Sequence, residues 1–169
     1  ETKAGTPELA PQEERAFLSI FGRTLWISFW VTAFCLLLGY PLAYWLANLS
    51  ARQSNLLMIL VLLPFWTSVL VRVASWIVLL QREGLINSAL MNLGLIGEPL
   101  QLAFNRVGVY IAMVHILLPF VILPAYSVMK SIPQTYMRAA ISLGDHPFAA
   151  FWKIYFPQTV AGVAAGALL

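Results

Sequence analysis

Three apolar stretches, each long enough to cross a bilayer, constrain this chain more than any other feature. They are TLWISFWVTAFCLLLGYPLAYWLANL (Thr24–Leu49), NLLMILVLLPFWTSVLVRVASWIVLL (Asn55–Leu80) and RVGVYIAMVHILLPFVILPAYSVMK (Arg106–Lys130). A helix rises 1.5 Å per residue, so about 20 apolar residues cross a hydrocarbon core of about 30 Å. Composition agrees: 60% of residues are hydrophobic and only 10% charged, against about 25% charged in a soluble domain. The expected fold class is all-α, a polytopic membrane helix bundle lying in the lipid bilayer.

The rest of the chain punctuates those spans. Residues 1–22 are polar, with Pro7, Pro11 and Glu13-Glu14-Arg15, and read as a linker turning helical near Ala16–Phe21. Between the second and third spans, Gln81–Asn105 contains GLINSALMNLGLI, whose apolar and small polar residues recur at helical spacing. That pattern predicts a short amphipathic helix at the interface. A fourth run, QTVAGVAAGALL, follows Pro157 and reaches Leu169. Its length of about 18 Å is too short to span, so it is expected to be a truncated span, 157–169, and the sequence a fragment. Gly162 and Gly166 have the small-xxx-small spacing that admits a close neighbouring helix, although an ordinary apolar helix start would look the same. Pro41, Pro64, Pro119 and Pro124 mark the full spans, and each is expected to bend its helix.

Charge narrows the function classes. The basic residues are scattered and form no stripe that could track phosphates, so no nucleic-acid partner is expected. The lone Cys35 excludes an internal disulfide or a cysteine-based zinc site and reads as a small hydrophobe; no metal site is expected. Lys and Arg do not settle orientation. Arg52, Lys130, Arg138 and Lys153 lie at one end of the spans, and Lys3, Arg15, Arg23, Arg82 and Arg106 at the other.

The most informative stretch lies outside the spans: RAAISLGDHPFAAFWKIYFP, Arg138–Pro157. Ser131-Ile132-Pro133-Gln134 has the makings of a capped helix start. Gly144 is a natural terminator, and Asp145 or His146 can cap a second helix running from Pro147 to about Tyr155. Ala140 and Gly144 are four apart and share a face, with Ala139 beside them. That face lacks side-chain bulk and is ringed by Met137, Ile141, Leu143, Phe148, Phe151 and Ile154. It suits a helix docked in a partner's groove or, equally, one resting on lipid headgroups.

The order Ala139-Ala140, Gly144, Ile154 and Pro157 resembles the "EAA" loop of permease subunits of binding-protein-dependent ABC importers. That pattern reads Glu-Ala-Ala, three residues, Gly, nine residues, Ile, one residue, Leu-Pro. The spacing is intact here, and the departures are Arg138 for glutamate and Phe156 for leucine. The stretches TLWISFWVTAFCLLLGYPLAYWLA, LLPFWTSVLVRVASWIVLLQREGLIN and HILLPFVILPAYSVMKSIP are similar to the spermidine/putrescine-type branch. The resemblance implies that residues 23–169 form a partial importer transmembrane domain, with spans near 24–49, 55–80 and 106–130. It implies that 131–156 is a cytoplasmic coupling loop docked on a separate ATPase, carried by Arg138, Ala139, Ala140, Gly144, Phe148, Phe151, Ile154 and Pro157. It also implies a second permease subunit, an external substrate-binding protein and a bacterial cytoplasmic (inner) membrane. The chain would bind no cofactor directly and hydrolyse nothing, ATP being used by the partner ATPase. It has no GxxxxGK[ST] loop.

Pathway or gate candidates are Trp66, Ser68, Arg72, Ser75 and His115. Arg72 is an intramembrane charge and therefore a functional candidate. On a straight helix it would lie about 25 Å beyond Asn55, near the far end, where it could also snorkel. His115 reads as a buried, hydrogen-bonded histidine, since no membrane-embedded acid accompanies it for a proton relay. Trp66 and Trp76 offer ring faces to a cation, or anchor the interface together with Tyr110. The substrate expected from the resemblance is a polyamine or a related small organic solute. An ion-coupled secondary transporter, which would need paired intramembrane acids, and a non-transporting scaffold are the alternatives.

Overall fold

The computed structural model describes residues 11–168. Within them every regular element is a helix, with no strand. The first helix, α1, runs unbroken over Pro11–Asn48, with Pro41 inside it. The polar segment expected as a linker is thus helical from Pro11 onward, a residue whose fixed φ suits a first helical turn. Residues 1–10 lie outside the described residues. The longest uninterrupted helix after α1 is α5, Arg106–Ser131, which likewise carries Pro119 and Pro124 without interruption. The stretch Ala16–Asn48 and α5 are each long and apolar enough to cross a membrane.

The second expected span is not one helix. It divides into α2 (Ala51–Leu62), a 3-10 turn (Leu63–Trp66) and α3 (Val69–Leu80), and the two parts meet at 95°. Pro64 opens the tighter turn, where its missing N–H costs nothing, and Thr67 then leaves helical geometry at φ −101°, ψ 144°. Of the four prolines, only Pro64 coincides with a break. Beyond α3, the interfacial helix is the eight-residue α4 (Leu85–Asn92). Asn87, fully buried, pins that loop: its Nδ2 donates to Gln81 O (3.0 Å) and Leu100 O (2.7 Å), and its Oδ1 accepts from Leu100 N (3.1 Å).

After α5 come α6 (Gln134–Ser142), α7 (Pro147–Ala150), a π-turn (Phe151–Tyr155) and α8 (Phe156–Leu168). The second helix of the hairpin does not stop near Tyr155. It continues through the wide turn into α8, so 147–168 is one rod. Pro157 explains the turn: it has no N–H for Lys153 O and would crowd that carbonyl in an ordinary helix. In the wide turn Phe156 N reaches back to Phe151 O instead.

The described core is a slab of α1, α5 and α8. Ala43, Leu46, Ile122, Ala125 and Met129 are buried between α1 and α5, with Val31, Cys35 and Val121 in a second cluster. Cys35 packs as the small hydrophobe expected. Between helices in lipid there is little hydrophobic drive, so close packing of small residues has to hold them. Gly162 and Gly166 supply it. A Cβ at Gly162 would meet Val128 Cβ at 2.8 Å, and one at Gly166 would meet Val121 Cα at 2.9 Å. The small-residue spacing therefore marks the α5–α8 seam. The large exposed apolar side chains, among them Phe17, Leu25, Phe29, Leu37 and Leu56, would be a liability in water but suit lipid or a neighbouring subunit.

Candidate functional site

The hairpin is built by its turn. Gly144 adopts φ +98°, where a Cβ is strained, while the space around it is open. Gly144 N donates to Ile141 O (3.0 Å) and Asp145 N to Ala140 O (3.1 Å), the paired bonds that close a helix C-terminus on a left-handed residue. His146, not Asp145, caps the next helix: its Nδ1 accepts from Phe148 N at 3.3 Å. Asp145 instead pairs with Lys153 at 3.0 Å on the surface. At the hairpin's start the expected serine cap is absent. Pro133 precedes the first turn of α6, and Ser131 Oγ turns back to Val128 O (2.7 Å), since α5 claims that residue.

The expected side-chain-free face is divided by this fold. Ala140 is only 4% exposed, buried where α6 lies against α7 and the π-turn. Its small size lets the two helices of the hairpin meet. Ala139 and Arg138 are exposed beside it, as is Pro157. Phe151 also points inward, edge-on to Tyr44 at 5.5 Å and packed beside Tyr155 at 5.6 Å, while Ile154 is half-buried. Burial among these rings pushes the Tyr155 hydroxyl up to about 12, so it stays protonated. What the hairpin does present is a set of exposed apolar side chains: Leu143 (89% exposed), Phe148 (68%) and Trp152 (49%), and also Tyr136 and Ile141. Trp152 and Tyr136 were not singled out from the sequence. The i,i+4 spacing of Phe148 and Trp152, whose rings lie 6.3 Å apart, was the available signal.

The hairpin is rigidly joined to the spans. Lys130 Nζ donates to Ala47 O (3.1 Å) and Gln134 Nε2 to Asn48 Oδ1 (3.3 Å), tying the hairpin's base to the end of α1. Its second helix is continuous with α8, which locks onto α5 by glycine.

The other candidates lie on the broken span, apart from His115, which lies on α5. Trp66 is 91% exposed, beyond the packed bundle, while the neighbouring Phe65 ring contacts Phe120 at 5.0 Å. Ser68 and Ser75 are exposed. The Ser75 hydroxyl is spent on Val71 O (2.8 Å), and Ser68 contributes its carbonyl to Arg72 N (3.0 Å). Because the span turns at Thr67–Ser68, Arg72 is not carried toward the far end but folded back on the break. Its Nη2 donates to Pro64 O, to Thr67 O (3.1 Å) and, longer, to Thr67 Oγ1 (3.4 Å). His115 accepts a hydrogen bond at Nδ1 from Trp76 Nε1 (3.3 Å), the satisfied histidine expected. Both border an apolar cavity of about 590 Å³ that includes Phe34, Tyr110 and Leu118. Among the described residues no group of acids, cysteines and histidines could hold a metal ion.

Comparison with known proteins agrees with this architecture. Residues 36–169 match the family described as binding-protein-dependent transport system inner membrane component. The chain is 34% identical over 157 residues to the spermidine/putrescine transport system permease protein PotB of Haemophilus influenzae, covering 90% of this chain and 55% of that one. It is 38% identical over 138 residues to PotB of Escherichia coli, covering 82% and 50%. To the Escherichia coli inner membrane ABC transporter permease protein YdcU it is 31% identical, covering 99% and 59%. The chain thus spans about half the length of the curated relatives it matches.

Proposed function

Since this chain belongs to the binding-protein-dependent transport system inner membrane components, we propose that it forms part of the substrate pathway of an ATP-driven importer and is driven through the hairpin Gln134–Tyr155. The observation that carries this reading is the exposed Phe148–Trp152 pair, on a hairpin tied at its base to α1 and α5 and continuous with α8. A separate ATPase subunit covers that pair, which places the hairpin in the cytoplasm and the Asn87-pinned loop outside. A second permease subunit completes the pathway, and an external binding protein delivers the substrate. The membrane is the bacterial inner membrane, as the family description and the YdcU relative support. A polyamine is the proposed substrate, supported by the spermidine/putrescine relatives.

The mechanism follows from stiffness. Nucleotide-driven closure of the ATPase moves the hairpin, and α1, α5 and α8 move with it as one body. The arm formed by α2, the corner and α3 is joined to that body more sparsely and can change its relation to it. The test is Phe148→Ala with Trp152→Ala in the assembled transporter. Aromatic anchors of this kind are worth about 2 kcal/mol or more, so uptake and co-purification of the ATPase should fall by about 30-fold. Normal uptake with both rings removed would count against the hairpin as the coupling surface.

A further inference from the structure

We propose that Arg72 is a positioning residue, a cation built into the membrane that locks the corner of the broken span by filling the carbonyl end of its first half. The break turns the carbonyl end of the 3-10 turn toward the start of α3, with Pro64 O already taking Thr67 N (3.2 Å), and a helix end of that polarity attracts positive charge. Arg72 lies in the first turn of α3 and reaches back across the corner. A single nitrogen, Nη2, donates to Pro64 O, Thr67 O and Thr67 Oγ1. Thr67 reinforces the same point, its hydroxyl donating to Pro64 O at 2.8 Å. The two halves of the span are thereby tied end to end and held at 95°.

Two further observations separate this from a snorkelling charge. The guanidinium turns inward to main-chain oxygens, and Nε is buried without a partner, a cost that a side chain reaching for water would avoid. No carboxylate pairs with Arg72 among the described residues, where the one ion pair is Lys153–Asp145. The positive charge is therefore balanced by the carbonyls of the corner itself. The lock fixes how Trp66 and Ser68 are presented beyond the bundle, with Phe65 on Phe120 as the corner's foothold on α5. This role rests on the permease reading, because a chain lining a pathway is one in which that presentation matters.

The test uses the full transporter with its partner subunits, in a Cys35→Ala background carrying Phe65→Cys and Phe120→Cys. Disulfide yield between 65 and 120 reports the corner's position without reference to any substrate, and uptake is measured in parallel without the cysteine pair. Arg72→Met should lower the crosslink yield about threefold or more and uptake about tenfold, because it removes the charge-assisted bonds that span the corner. Arg72→Lys should restore both, since all three bonds come from one nitrogen and an ammonium offers three donors. Thr67→Val should lower the crosslink less than Arg72→Met does. An Arg72→Met chain that crosslinks like its parent overturns the lock, whatever its uptake. So does Arg72→Lys behaving like Arg72→Met, which also decides the matter if the methionine variant does not assemble. Failure of the permease reading would show separately, as a parent chain that binds no ATPase, and the crosslink yields would still decide the lock.

Discussion

The α1–α5–α8 slab and the α2–α3 arm are made of similar residues and held in opposite ways. The slab is joined along continuous seams: glycines at 162 and 166 bring backbones together, and Ile122, Ala125 and Leu46 leave no surface open. The arm is joined more sparsely: Leu57, Met58 and Val61 pack α2 against the core, and beyond them the contacts are single ones, Ser54 to Tyr126 (3.0 Å), Phe65 to Phe120 and Trp76 to His115. Seams make a body that moves as a whole. Separate contacts make a part that can let go of them one at a time.

That contrast can be broken or sharpened by substitution. The largest effect should come from the slab. Gly166→Leu drives a side chain into Val121 Cα, a backbone atom that cannot rotate away, and should cost about 3 kcal/mol. A thermal scan in detergent should show the whole domain melting earlier, and a purely local loss would contradict the single-body account. Asn87→Ala comes next. It orphans the buried Leu100 amide and takes one of two donors from each of Gln81 O and Leu100 O, worth about 2 kcal/mol, and hydrogen exchange should rise in 81–105 alone. Tyr126→Phe should be smallest, about 1 kcal/mol, because it removes one of several point contacts. Added protease sensitivity confined to α2 would fit; destabilisation of the slab would mean the arm is not independent.

Much of this was legible in the residues. Length and hydropathy set the all-α bundle, and the Gly162–Gly166 spacing marked the close seam, because both depend on local composition. The hairpin's turn was readable at Gly144, where only backbone freedom matters. The broken span was not, because Pro64 looks no different in sequence from Pro119 or Pro124, which α5 carries unbroken. What separates them is that Thr67, Ser68 and Arg72 satisfy the freed groups locally, a three-residue arrangement with no periodic signature. Ala140 shows the other limit. The sequence marks a small residue that something must approach closely, but not whether that something is a partner or the next helix of the same hairpin.

The most direct measurement is crosslinking from the hairpin's exposed face. A photoreactive residue at position 148, in membranes holding the whole transporter, should attach mainly to the ATPase subunit, and a control at the buried position 140 should not. Adducts from 148 that contain only phospholipid, in transporter that still imports its substrate, would contradict the account.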